Sequence, residues 1–182
     1  MKSFSVKSIV ATGIGAALFF VLGRFVIIPS PVPNTNINLQ YGLLAFLSAV
    51  YGPAVGLLSG LIGHVLVDLT SYGLWWSWEI ATGLFGLAMG FLTRKLTLED
   101  GEFSKHDAIK FNVSHILCHL AAWVVIAPAL DVLIYQEPTD KIIVQGLVAA
   151  TSNIITTAIV GTLLLFAYAA AKPKKGSLKK EK

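Results

Sequence analysis

The sequence predicts an all-α integral membrane protein of six transmembrane helices with both termini in the cytoplasm. Three observations carry that expectation. Of the 182 residues 55% are hydrophobic and only 13% charged, whereas a soluble domain carries about 25% charged residues. Apolar runs long enough for helices alternate with short polar breaks. The basic residues then gather at alternate breaks, as they do on the cytoplasmic side of membrane proteins.

The first apolar run covers residues 6–28, enough to span a hydrocarbon core of about 30 Å. The opening MKSFSVKSIVATGIGAALFFVLG has the charge pattern of a signal peptide. Its apolar run is longer than a signal core and no small-x-small site follows, so it reads as a retained first helix. Small residues recur at four-residue spacing in Ala11/Gly15, Thr12/Ala16 and Gly13/Ala17, which lets another helix approach closely. That partner is either a neighbouring helix of this chain or another subunit. Arg24 lies near the far end, where it can snorkel to the interface or hold an anion. Residues 30–38, SPVPNTNIN, are expected to form an irregular, uncharged loop. Its amides Asn34 and Asn36 offer donors and acceptors, as a gate over a pocket would.

A short second helix (residues 39–51) is expected to join a third (53–69) through Gly52-Pro53. The third places His64 and Asp68 one turn apart on one face. An uncharged turn, residues 70–74, leads to Trp75, Trp76 and Trp78 and then to Glu79, which opens the fourth helix. Tryptophan is favoured at membrane interfaces, whereas ionisable side chains at membrane depth are costly and point inward. His64, Asp68, Glu79 and the three indoles are therefore expected to border a small-molecule pocket near one membrane surface. The fourth helix ends at Arg94-Lys95. Residues 96–107 form an aqueous loop, and a fifth helix (108–129) carries Asn112, His115 and His119. An acidic loop is expected over residues 131–140. The sixth helix, residues 142–171, bears Asn153 among several hydroxyl and amide side chains. Residues 1–171 thus read as one membrane domain, and 172–182 as a lysine-rich cytoplasmic tail.

With six spans and cytoplasmic termini, Lys2, Lys7, Arg94, Lys95, Lys105, Lys110 and the tail lysines lie inside, and the outer loops receive only Lys141. The opposite orientation violates the positive-inside tendency at nearly every loop. The net charge of +4 accordingly reflects orientation in the lipid bilayer, not a nucleic-acid partner. The single Cys118 excludes an internal disulfide and paired-cysteine metal motifs. There is no convincing internal repeat, which counts against an inverted-repeat transporter.

Catalysis has little to build on. Ser114 adjoins His115, but neighbours on a helix face different ways, and no G-x-S-x-G turn is present. No Walker-type loop cradles a phosphate, so the chain is expected neither to hydrolyse ATP nor to hold a cofactor. His115 and His119 have the spacing of a shared metal, and with His64 and Asp68 they frame one alternative, a stand-alone divalent metal or ion permease. An accessory membrane protein without a ligand is another. A pocket for a small polar heteroaromatic unites more of the residues, since indoles stack, a carboxylate binds ring nitrogens or an amine, and amides meet hydroxyls.

The segments SVKSIVATGIGAALFFVLGRFVIIP, PNTNINLQYGLLAFLSAVYGPAVGLLSGLIGHVLVDL and WWSWEIATGLFGLAMGF resemble substrate-binding S components of energy-coupling-factor (ECF) vitamin transporters. The similarity is to the UPF0397 group, which includes proteins assigned to hydroxymethylpyrimidine or pyridoxine uptake. It implies a six-helix subunit that captures a vitamin outside and docks on a transmembrane coupling subunit carrying two cytoplasmic ATPases. It also implies a docking surface of small residues on the first helix, here Ala11, Thr12, Gly15 and Ala16. The substrate site is implied in the outer half, where Asn34, Asn36, His64, Asp68, Trp75, Trp76, Trp78, Glu79, His119 and Asn153 are the candidates.

Overall fold

The computed structural model describes residues 5–33, 35–71, 73–98 and 101–173. Among them, six helices make one bundle: α1 (Val6–Phe25), α2 (Gln40–Tyr51), α3 (Pro53–Leu69), α4 (Trp76–Thr93), α5 (Lys105–Tyr135) and α6 (Thr139–Ala170). Of these, α1, α5 and α6 are long and apolar enough to cross a membrane on their own terms. The 32 residues of α6 rise about 48 Å at 1.5 Å each, well beyond the hydrocarbon core. The 12 residues of α2 fall short of it, as the sequence anticipated. Large apolar side chains such as Ile9, Ile14, Leu133, Leu163 and Phe166 are exposed, which suits lipid. Phe19, Leu44, Phe85, Phe111, Trp123 and Leu165 fill the interior.

The first helix is shorter than the apolar run that announces it. It stops at Phe25 because Val26, Ile27 and Ile28 are β-branched and Ile28 precedes Pro29, which disfavours helical backbone. Ile27–Pro29 (β1) instead pairs antiparallel with Asn36–Asn38 (β2), setting Ile27 opposite Asn38 and Pro29 opposite Asn36. The segment expected to be irregular is thus partly a two-stranded ribbon, while Asn34 lies outside the described residues.

The hinge between α2 and α3 behaves as its sequence requires. Gly52 has φ +92°, backbone that side chains avoid, and Pro53 opens α3 where its missing N–H costs nothing. Further along, α3 and α4 cross at Gly56 and Gly86, where a Cβ on either would overlap the other's backbone.

The fifth helix departs most from expectation. A capping box between Ser104 and Asp107 starts it at Lys105, and it runs on through a π-helical turn, Ala121–Ile126, to Tyr135. Pro128 explains the turn, because its ring would collide with the carbonyl four residues back in regular helix. The wider turn absorbs that clash and the helix continues. Asp131 therefore lies inside α5, only 1% exposed, rather than in an acidic loop. The reversal comes at Gln136, which adopts left-handed backbone, and α6 follows Pro138. The ribbon, the turn before Trp76 and the reversal at Gln136 all gather at one end of the bundle.

Candidate ligand-binding site

At that end a cavity of about 440 Å³ opens between α1, the ribbon, α2, α3, α4 and α6. Its floor begins with His64 and Asp68, buried on α3 as their spacing on one helix face requires. Thr82 on α4 orients the imidazole. The Thr82 hydroxyl donates to the Trp78 carbonyl at 2.8 Å, so it accepts from His64 Nδ1 at 2.6 Å and from the Tyr41 hydroxyl at 3.2 Å. Neutral His64 with its proton on Nδ1 leaves Nε2 as an acceptor, 3.7 Å from Asp68 Oδ1. That distance is too long for a hydrogen bond; the Asp68 carboxyl lines the cavity and is hydrogen-bonded to the Glu79 carboxyl on α4.

The indoles are held by a residue that sequence reasoning placed in a loop. Asp131 accepts from Trp75 Nε1 at 2.6 Å and from Trp78 Nε1 at 2.8 Å, and Ser77 Oγ donates to it as well. One turn later, Tyr135 takes up the Trp76 backbone N–H at 3.0 Å and packs its ring 4.8 Å from that of Trp75. The start of α4 is therefore clamped onto the end of α5. Trp78 also stacks on Trp123 of the π-helical turn, 5.5 Å between centroids with planes 14° apart. The sequence did hold a signal for Asp131: one acid in the apolar stretch APALDVLIY, where an ionisable group is costly unless it is paired.

The cavity wall brings together Asn36, His64, Asp68, Trp75, Trp78 and Asn153 from the expected set. Three others stand off it. Trp76 is 45% exposed and points away. Glu79 is fully buried, accepts the Trp75 backbone N–H at 3.3 Å and neighbours the Asp68 carboxyl, so it supports the wall without forming it. His119 is buried behind the aromatic layer. Its Nδ1 accepts from Trp123 Nε1 at 2.9 Å, so its Nε2 carries the proton and donates to Thr157 at 3.0 Å. The wall gains Arg24, Asn38, Gln40, Tyr41, Lys141 and Gln145, which were not among the candidates. Asn38 arrives on the ribbon, which no periodicity announced, and Gln40 follows at the start of α2.

No group of three or more His, Cys, Asp or Glu side chains is placed to share an ion among the described residues. His115 Nε2 meets the Asn112 amide oxygen at 3.0 Å, a contact within α5.

The small-residue face of α1 also needs correction. Ala11, Thr12, Gly15 and Ala16 are buried, turned toward the chain's own helices. Ser59 Oγ donates to the Thr12 carbonyl at 3.2 Å, and a Cβ on Gly15 would lie 2.7 Å from Leu47 Cδ1 and from Ser59 Oγ. Those four residues form an internal seam. Gly13 has open space around it and Ala17 is exposed, so the outward small pair of α1 is Gly13/Ala17.

A multi-pass helical bundle with a polar and aromatic cavity at one end defines a membrane-embedded small-molecule-binding subunit. The chain belongs to the family described as "ECF-type riboflavin transporter, S component", whose model matches residues 3–170. Members of such families are substrate-binding, non-catalytic subunits that bind vitamin-like substrates and in general assemble with a transmembrane subunit and ATPases. Curated relatives include the UPF0397 protein SAS2570 of Staphylococcus aureus (strain MSSA476), 50% identical over 181 residues, covering 99% of this chain and 98% of the relative. The UPF0397 protein SAR2767 of strain MRSA252 is 51% identical over the same shares. Among solved structures, FolT bound with folic acid superposes with a TM-score of 0.61 at 17% identity, over 87% of this chain and 94% of that one. The S-component for biotin from an ECF-type ABC transporter gives 0.60 at 18%, over 90% and 93%. At such identities the two structures speak for the fold alone.

Proposed function

We propose that this chain is the substrate-capture subunit of an ATP-driven importer, taking a water-soluble heteroaromatic vitamin or vitamin precursor from outside the cell. The observation that carries this reading is the pairing, on one cavity wall, of the Asp68 carboxyl with two indoles fixed at their N–H edges. A flat nitrogen heterocycle meets both needs, stacking on aromatic faces while a ring nitrogen or amine reaches the carboxylate. Hydroxymethylpyrimidine and pyridoxine are the favoured ligands on the sequence resemblance. A second reading, a flavin, draws support from the volume of about 440 Å³, roomy for one ring, and from the family description.

Orientation follows from charge. Arg94, Lys95, Lys105 and Lys110 lie at the end opposite the cavity, whose own end holds Arg24 and Lys141. The positive-inside tendency then turns the cavity outward. For docking on the coupling subunit we assign the outward face of α1 around Gly13 and Ala17. Transport energy comes from the ATPases of the assembled complex. Calorimetric titration of the purified chain with hydroxymethylpyrimidine, pyridoxine, riboflavin, folic acid and biotin tests the ligand assignment. Saturable binding of one of the first three is expected. Binding of biotin or folic acid with none of the first three would overturn it.

A further inference from the structure

Hydrogen-bond donors and acceptors on the cavity wall are unequally occupied. Several donors are turned into the protein: the Trp75 and Trp78 N–H groups to Asp131, His64 and Tyr41 to Thr82, Lys141 to Glu137 at 2.7 Å, and Gln145 Nε2 to the Pro33 carbonyl at 2.9 Å, whereas the Arg24 guanidinium on the same wall keeps donors to spare. Three amide acceptors are not so engaged. Asn38 Oδ1, Gln40 Oε1 and Asn153 Oδ1 are buried without a partner, and all three residues line the cavity. Gln40 and Asn153 are themselves 3% and 4% exposed. Gln40 Oε1 lies against Gly23, also on the wall, where a Cβ would overlap it. A buried acceptor without a donor is destabilising and uncommon, so three around one cavity call for a source of hydrogens.

Resting on the heteroaromatic reading above, we infer that the ligand is donor-rich: a neutral heterocycle whose amino and hydroxyl hydrogens reach the Asn38, Gln40 and Asn153 carbonyl oxygens while Asp68 takes a further donor. The wall then favours ligands that bring donors to these oxygens over analogues that leave them unpaired. Donor-bearing ligands gain more than usual here. The acceptors they meet have no partner to give up, and a site built around hydrogen bonds to a substrate discriminates strongly against the analogue lacking them.

Matched ligand pairs test this on the unaltered protein. Hydroxymethylpyrimidine is compared with its 5-methyl analogue, and riboflavin with lumiflavin, which keeps the ring system and loses the ribityl hydroxyls. For whichever core binds, the hydroxylated member should bind roughly tenfold or more tightly, the worth of a hydrogen bond at the strong end of its range. Repeating the titration with Gln40→Met should shrink that preference, and Gln40→Glu, which keeps an acceptor, should restore it; melting temperatures confirm that each variant is folded. Equal affinity for both members of a pair on the wild type overturns the donor-rich assignment and leaves the heteroaromatic reading standing. An undiminished preference in folded Gln40→Met removes Gln40 from the acceptor set. Binding of neither core, and of no pyridoxine either, removes both readings.

Discussion

Asp131→Asn is the substitution from which the structure makes its firmest quantitative demand. Oδ1 of Asp131 accepts from Trp75 Nε1 and Ser77 Oγ, and Oδ2 accepts from Trp78 Nε1. An asparagine that keeps its oxygen at the first position sets an N–H2 against the Trp78 N–H, two donors facing each other. One hydrogen bond to a charged group is lost, a destabilisation of about 1.5–3 kcal/mol. At roughly 2–4 °C per kcal/mol for a chain of this size, the melting temperature in detergent should fall by about 3–12 °C. Near-ultraviolet circular dichroism should weaken as the indole freed from its carboxylate loosens, while the far-ultraviolet helical signal holds. Ser77→Ala, which removes one donor and touches neither indole, should produce the smaller drop and spare the near-ultraviolet bands. An unchanged melting temperature together with unchanged near-ultraviolet bands in Asp131→Asn would refute the clamp.

Three further outcomes are expected. Gly13→Leu should leave melting and ligand binding intact while reducing co-purification with the coupling and ATPase subunits, whereas Gly15→Leu should lower the melting temperature because its side chain meets Leu47 and Ser59; full co-purification of Gly13→Leu would move the docking face elsewhere. Glu79→Gln should cost less affinity than Asp68→Asn, since Asp68 lines the cavity and Glu79 stands behind it, and calorimetry on the two variants reads the order directly. Cysteines placed at Gln136 and Glu102 should react with an impermeant reagent added outside only at Gln136. Buried Cys118 gives little background, and outside labelling at Glu102 would reverse the topology.

The helices were legible because membrane depth demands long apolar runs and punctuates them with Gly, Pro and charge. The cavity was legible in part for the same reason: His64 and Asp68 share a face at helical spacing, and an uncharged turn carries the indoles beside them. What escaped depends on contacts between distant segments. Nothing local tells that Ile27–Pro29 will pair with Asn36–Asn38 and so bring Asn38 and Gln40 to the wall. The π-helical turn that carries α5 past Pro128 moved Asp131 from an expected loop into the core. Small residues at four-residue spacing announced close packing on α1, but only the positions of α2 and α3 decide that Gly15 faces inward and Gly13 outward. Glu79 and His119 read as pocket residues because burial and function leave the same mark on a sequence: a polar side chain in an apolar run.

The central claim is that this chain holds a heteroaromatic vitamin or precursor between Asp68 and the Trp75–Trp78 wall. Mass spectrometry of the small molecules released from protein purified without added ligand tests it most directly, alongside Asp68→Ala prepared identically. A single nitrogen heterocycle bearing amino or hydroxyl groups is expected, enriched in the wild type and depleted in the variant. Release of the same heterocycle in equal amounts from both proteins, or of lipid alone from a wild type that binds none of the tested heterocycles, would contradict it.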